Sequence, residues 1–160
     1  MGDTLTTTRA PRIELSIPAQ SEWVRVARLT VAGVAARQGF SVEAVEDIKV
    51  AVSEALNNAI IHGGGDYDAE LPIVCVALEP RSDGLWIVVT DQGHLDEEPT
   101  SPQRAPDEGD LPENGMGLLL IRSLMDRVEM ETGPDLDTSL KMWKALRPSR
   151  SVSKSAPASG

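Results

Sequence analysis

In the stretch SEALNNAIIHGG, Ser53 to Gly64, the side chains of Glu54, Asn58 and His62 recur at intervals of four residues. A carboxylate can take a proton, and a carboxamide oxygen can ligate a hard cation. If the segment is helical, about 100° per residue puts the three within about 80° of one another, with Asp47 on the same stripe two turns earlier. By the same count Val50 and Ile61 flank the stripe on one side and Ala51 and Ala55 on the other, while Glu46, Lys49, Ser53 and Asn57 make a separate wet face. A polar row between apolar borders fits the wall of a ligand pocket, and it fits equally a hydrogen-bonded polar seam between helices.

Two further short patterns carry possible chemistry. Asp91-Gln92-Gly93 ends an apolar, β-branched run with a carboxylate followed by a residue without a side chain, although Asp-x-Gly is also an ordinary turn after a strand. Gly115-Met116-Gly117 opens a second apolar helix, where free backbone N–H groups could receive an anion and glycine lets the chain come close. Glycine at a helix start is common, so this pattern too has a purely structural reading.

The elements that must position these residues follow from periodicity. Ile13 to Ile17 alternates as a half-buried strand does. A helix begins near Ser21, a candidate cap, carries Val24, Ala27, Val31 and Val34 on one face, and ends at Gly39. Ser41 can cap the second helix, which runs to His62 and is stopped by Gly63-Gly64-Gly65. PIVCVALEP and GLWIVVTD read as a hairpin turning at Ser82-Asp83-Gly84. Residues 95–114, acidic and rich in proline, read as a functional lid or a disordered insert, and the lid is the expectation. Gly115 to Asp126 is a helix, and RVEME and TSLKMWKAL are strands joined through Gly133-Pro134-Asp135. This order predicts an α/β two-layer sandwich with a mixed, mainly antiparallel sheet and its helices on one face. The domain spans 13–147, between flexible tails at 1–12 and 148–160 that are rich in Thr and in Ser, Pro and Ala.

Composition narrows the function classes. The chain has 160 residues, 41% of them hydrophobic, enough for one domain with its own core. With 25 acidic against 15 basic residues the formal charge is -10 and the isoelectric point about 4.6, which argues against a binder of nucleic-acid backbone. No segment approaches the roughly 20 apolar residues of a membrane span, and the N-terminus lacks a signal-peptide core. With the single Cys75 inside an apolar run, the expectation is a cytoplasmic protein.

Taken together, in this order, the three patterns resemble the nucleotide-binding motifs of the GHKL ATPase superfamily: the N box (Glu54, Asn58), the D-x-G box (Asp91, Gly93) and the G-x-G box (Gly115, Gly117). The stretches Pro18 to Gly64 and Gly115 to Met130 resemble more narrowly its anti-sigma-B factor and serine-protein kinase branch, and the likeness covers nearly all of Ile13 to Lys144. The resemblance implies the Bergerat fold, MgATP as co-substrate, phosphorylation of a serine on an anti-anti-sigma partner of STAS type, capture of a stress-type sigma factor, and a homodimer formed through the sheet. It also implies roles. Glu54 would be the general base and Asn58 the Mg²⁺ ligand. Asp91 would accept from the adenine amino group and Gly93 admit the ring. Gly115, Met116, Gly117 and the N–H of Leu118 would hold phosphate, and Thr138 would supply a hydroxyl near the base. His62 would be a nucleotide contact or a satisfied histidine at a helix end. Two departures touch these roles: His94 and Leu95 stand where many superfamily members have a second glycine, and Asp137 precedes Thr138 where a glycine is frequent. A partner-binding module without turnover, or an ATP hydrolase, would use the same motif set.

Overall fold

The computed structural model describes residues 11–62, 72–91, 113–132 and 138–147. They form, in chain order, β1 (Ile13–Pro18), α1 (Ser21–Gln38), α2 (Val42–His62), β2 (Ile73–Arg81), β3 (Gly84–Asp91), α3 (Glu113–Leu124), β4 (Arg127–Thr132) and β5 (Thr138–Ala145). The strands make one sheet in the order β1-β2-β3-β5-β4 with the helices on one face. Every described pairing is antiparallel, so the mixed component expected from sequence does not occur among the described strands. The expected tails and lid, residues 1–10, 92–112 and 148–160 among them, lie outside the described residues.

Alternation along the strands determines which side chains the helices cover. Leu15 and Ile17, Val74, Val76 and Leu78, Leu85, Ile87 and Val89, and Leu140 and Met142 point to the helical layer. They meet Val24, Ala27, Val31 and Ala35 of α1 and Ile48, Val52, Ala55, Leu56 and Ala59 of α2. Each fully buried Leu or Ile contributes about 1.5–3 kcal/mol over an exposed one, so this single interface is the main source of stability.

The helix ends differ in one respect from the sequence reading. Ser41 does cap α2, its Oγ accepting the Ala44 N–H at 3.2 Å. Gly39 ends α1 in the left-handed region at φ 89°, its N–H donating to Ala36 O at 3.1 Å while the Phe40 N–H donates to Ala35 O at 3.3 Å. Ser21 is not a cap: it is the first helical residue, and the extended Gln20 before it makes no side-chain capping bond.

At the β2–β3 turn, a Cβ on Gly84 would run into the Lys144 carbonyl oxygen and the Trp143 indole. The glycine is required by this approach of β5, and Gln38 seals the turn by donating from Nε2 to the carbonyls of Arg81 and Gly84 at 3.0 and 3.1 Å. Gly84→Ala is therefore expected to lower stability by about 1–3 kcal/mol, as overpacking does, measured by urea unfolding; an unchanged midpoint would mean that β5 yields freely.

Candidate active site

Two ends of the sandwich can be told apart by following the chain directions. Lys144 of β5 stands opposite Leu85 near the start of β3, and its Nζ donates to Asp47 Oδ2 in the first half of α2 at 2.9 Å and to the Leu124 carbonyl at the end of α3. From that end α2 rises about 1.5 Å per residue and β3 about 3.4 Å per residue in the same direction, so Asp91 lies level with the last turns of α2. The start of α3 lies at this end as well, since α3 runs back against α2. The last residues of α2, β3 and β4 and the first residues of β2, α3 and β5 all lie here.

At this end Glu54 and Asn58 are both half-buried on α2, and α3 meets them through Gly117. A Cβ on Gly117 would lie 3.3 Å from Glu54 Oε2, 3.3 Å from Asn58 Nδ2 and 3.6 Å from Asn58 Oδ1. Neither side chain makes a hydrogen bond or ion pair with another described residue, so a carboxylate and a carboxamide stand ready for an outside partner.

Asp91 ends β3 and is the buried charged side chain among the described residues, 8% exposed. Its Oδ1 accepts the backbone N–H of Thr138, the first residue of β5, at 2.8 Å, which fixes the carboxylate where the sheet ends. A buried carboxylate is tolerated only when such donors compensate its lost hydration. Thr138 itself is half-buried.

The structure thus joins Glu54, Asn58 and Gly117 in one contact and Asp91 and Thr138 in another, at one end of the molecule. Several expectations change. α3 begins at Glu113, so Gly117 and Leu118 lie beyond the first turn, and the free N–H groups of a helix start fall at Gly115 and before it. Leu118 packs its side chain on the core, and Met116 is 68% exposed. The N–H of Leu118 is therefore committed to the helix ladder in this structure. Asp47 shares the stripe of Glu54 but not its surroundings, because Lys144 ties it down at the far end. Of the apolar borders, Ala51 and Ala55 are buried, whereas Val50 and Ile61 are 41% and 69% exposed. The row runs along the rim of the helical layer, where among the described residues no helix closes its outer border. Gly93 and the side chain of His62 lie outside the described residues.

A cavity of about 210 Å³, bordered by Phe40, Ser41, Asp47 and Lys144, lies at the start of α2, away from Glu54 and Asn58. Among the described residues no group of three or more His, Cys, Asp or Glu side chains is placed to hold a metal, and no helix is long and apolar enough to cross a membrane.

Residues 17–144 match the histidine kinase-like ATPase domain family. The chain is 41% identical to the serine-protein kinase RsbW of Halalkalibacterium halodurans over 141 residues, 84% of this chain and 83% of that protein. It is 38% identical to the RsbW of Bacillus pumilus over 134 residues, covering 80% and 83%. Among solved structures it resembles the RsbU and RsbW domains of Rv1364c from Mycobacterium tuberculosis, with a TM-score of 0.62 and 20% identity, covering 86% of this chain and 33% of that one.

The Lys144 tie generates a prediction about the scaffold. The ammonium is 13% exposed and Asp47 39%, so solvent screens the pair in part, while the bond to the Leu124 carbonyl is lost outright on substitution. Lys144→Met is expected to cost about 1–2 kcal/mol in urea unfolding and to speed amide exchange in the last turn of α3. Equal stability and unaltered exchange would show that the tie holds nothing.

Proposed function

Because the chain belongs to the histidine kinase-like ATPase family, and within it to the RsbW-type serine-protein kinases, we propose that it transfers the γ-phosphoryl group of ATP to a serine of an anti-anti-sigma partner and, when that partner is unavailable, sequesters a sigma factor. What supports this reading is the pairing of the Glu54 carboxylate with the Asn58 carboxamide against α3, at the end of the sheet where Asp91 is buried. Phosphoryl transfer asks a protein chiefly for positioning and charge neutralisation, and a few polar groups on rigid helices are sufficient for that.

In this reading Asp91, oriented by the Thr138 N–H, accepts a hydrogen bond from the adenine amino group, and Gly93 leaves room for the ring. The first turn of α3, at Gly115 and Met116, faces the phosphates. Glu54 takes the proton of the serine hydroxyl as its oxygen attacks phosphorus and the bond to ADP breaks. The donor set suits Mg²⁺ that arrives with its nucleotide: one hard amide oxygen on Asn58 and, among the described residues, no cluster of carboxylates or other metal-ligating side chains. Bound there, Mg²⁺ would neutralise charge on the phosphate oxygens. Such a protein works in the bacterial cytoplasm, with no direct contact to nucleic acid and no membrane span.

The test is incubation with γ-labelled ATP, with and without the partner, for wild type and Glu54→Gln. Wild type is expected to label the partner's serine; Glu54→Gln keeps ATP affinity but transfers about 10²–10⁴-fold more slowly, the usual loss on removing a general base. Transfer at the wild-type rate would place the base elsewhere, and lost ATP binding would make Glu54 a structural or metal-site residue. Label released to water without any partner would mark an ATP hydrolase, and nucleotide binding without turnover a sequestering module.

We also propose a homodimer. Among the described residues β1 is an edge strand paired on one side by β2, and the sheet face turned away from the helices has no helix against it. An open edge and an uncovered face are features that association removes. Light scattering at micromolar concentration is expected to give about twice the chain mass of 17.2 kDa; a value near one chain mass would overturn this.

A further inference from the structure

Gly117 lies inside α3, not at its first turn, and helix geometry commits its N–H to the ladder. A glycine in that place weakens the helix, so the missing side chain calls for another explanation. The side of Gly117 where a Cβ would stand faces the Glu54 carboxylate and the Asn58 carboxamide, at 3.3 Å from an atom of each. That spacing is tighter than ordinary van der Waals contact, which begins near 3.4 Å. Something would have to move by a few tenths of an ångström.

What moves is decided by how the three groups are held. α3 cannot withdraw easily: one turn after Gly117, Ile121 is fully buried in the core, Leu118 packs against it, and Lys144 holds the Leu124 carbonyl at the helix end. Glu54 and Asn58 have no such restraint, since neither is hydrogen-bonded or ion-paired to another described residue. Their aim is set by packing alone.

We propose that Gly117 is a positioning residue, the bare wall that lets Glu54 and Asn58 stand in their working orientation. Its glycine leaves the space that these two side chains occupy. The inference rests on the roles assigned above to Glu54 and Asn58, and it adds a residue that acts through them.

The experiment has two readouts. In the first, the Asn58 side-chain NH₂ resonances are recorded in the nucleotide-free protein, identified by their loss in Asn58→Ala. They are expected to shift in Gly117→Ala and to stay in place in Gly33→Ala, a glycine on α1 with nothing within 4 Å of its Cβ position. In the second, MgATP affinity is measured by calorimetry for wild type, Gly117→Ala, Asn58→Ala and the double variant. Gly117→Ala is expected to weaken binding about three- to tenfold, and to add no more than about twofold once Asn58 is already alanine, as coupled neighbours do. Alanine suits a helix interior better than glycine, so a weaker complex would not reflect unfolding, and thermal melts verify this.

An unshifted Asn58 carboxamide overturns the inference. So do losses that multiply in the double variant, because they place the methyl's effect on the nucleotide directly. If wild type binds no MgATP, the nucleotide reading fails, and the carboxamide shift still decides whether Gly117 sets Asn58.

Discussion

One end of the fold is organised around a single ammonium group. Lys144 emerges from β5 on the face that the helices cover, and reaches both the carboxylate of Asp47 on α2 and the last carbonyl region of α3. A charge in that position would be costly if left without partners; held by two acceptors it binds three elements into one rigid end. Around it the hydrogen bonds are dense. Asp126 accepts from the Ala145 N–H at 2.8 Å and from Arg147 at 2.7 Å, and its own N–H donates to the Trp143 carbonyl at 2.9 Å. The turn between α3 and β4 is thereby stitched to β5, so α3 has a fixed pivot and a fixed direction.

Everything chemically suggestive lies at the other end. There the helices supply side chains with few internal partners, and the sheet supplies a buried carboxylate oriented by a backbone N–H. This division follows from elementary constraints: polar groups that are to meet a ligand cannot spend their hydrogen bonds inside the protein, so their orientation must come from rigid backbone and close packing. The sandwich supplies that rigidity from the opposite pole, through α2 and the full length of β3 and β5.

Much of this was legible in the chain. The 3.6-residue recurrence of Val24, Ala27 and Val31, the alternation in β2 and β3, and the turn at Ser82-Asp83 each reflect local rules and appear in the structure as read. The Glu54–Asn58 spacing placed both on one helical face, and Asp91 at a strand end, for the same reason. What could not be read depends on partners distant in sequence. Asp47 has the spacing of a site residue, yet Lys144, far along the chain, claims it. Val50 and Ile61 look like a buried border in sequence, yet no described helix covers them and they are exposed. The glycines before Leu118 suggest an anion site from sequence, and only the start of α3 at Glu113 and the neighbours of Gly117 separate the two of them into different roles.

The uncovered sheet face carries a property of its own. Trp86 and Trp143 sit across β3 and β5 with ring centroids 5.2 Å apart and planes at 45°, and the Arg127 guanidinium lies 6.0 Å from the Trp86 ring. Both indoles are half-buried, whereas the third, Trp23, is exposed on α1. Two of the chain's three indoles therefore stand together at a single spot on the face turned away from the helices. The aromatic side chains are thus unevenly placed: an optical signal from this pair reports on the back of the sheet, on the face opposite to the one that carries α2 with Glu54 and Asn58.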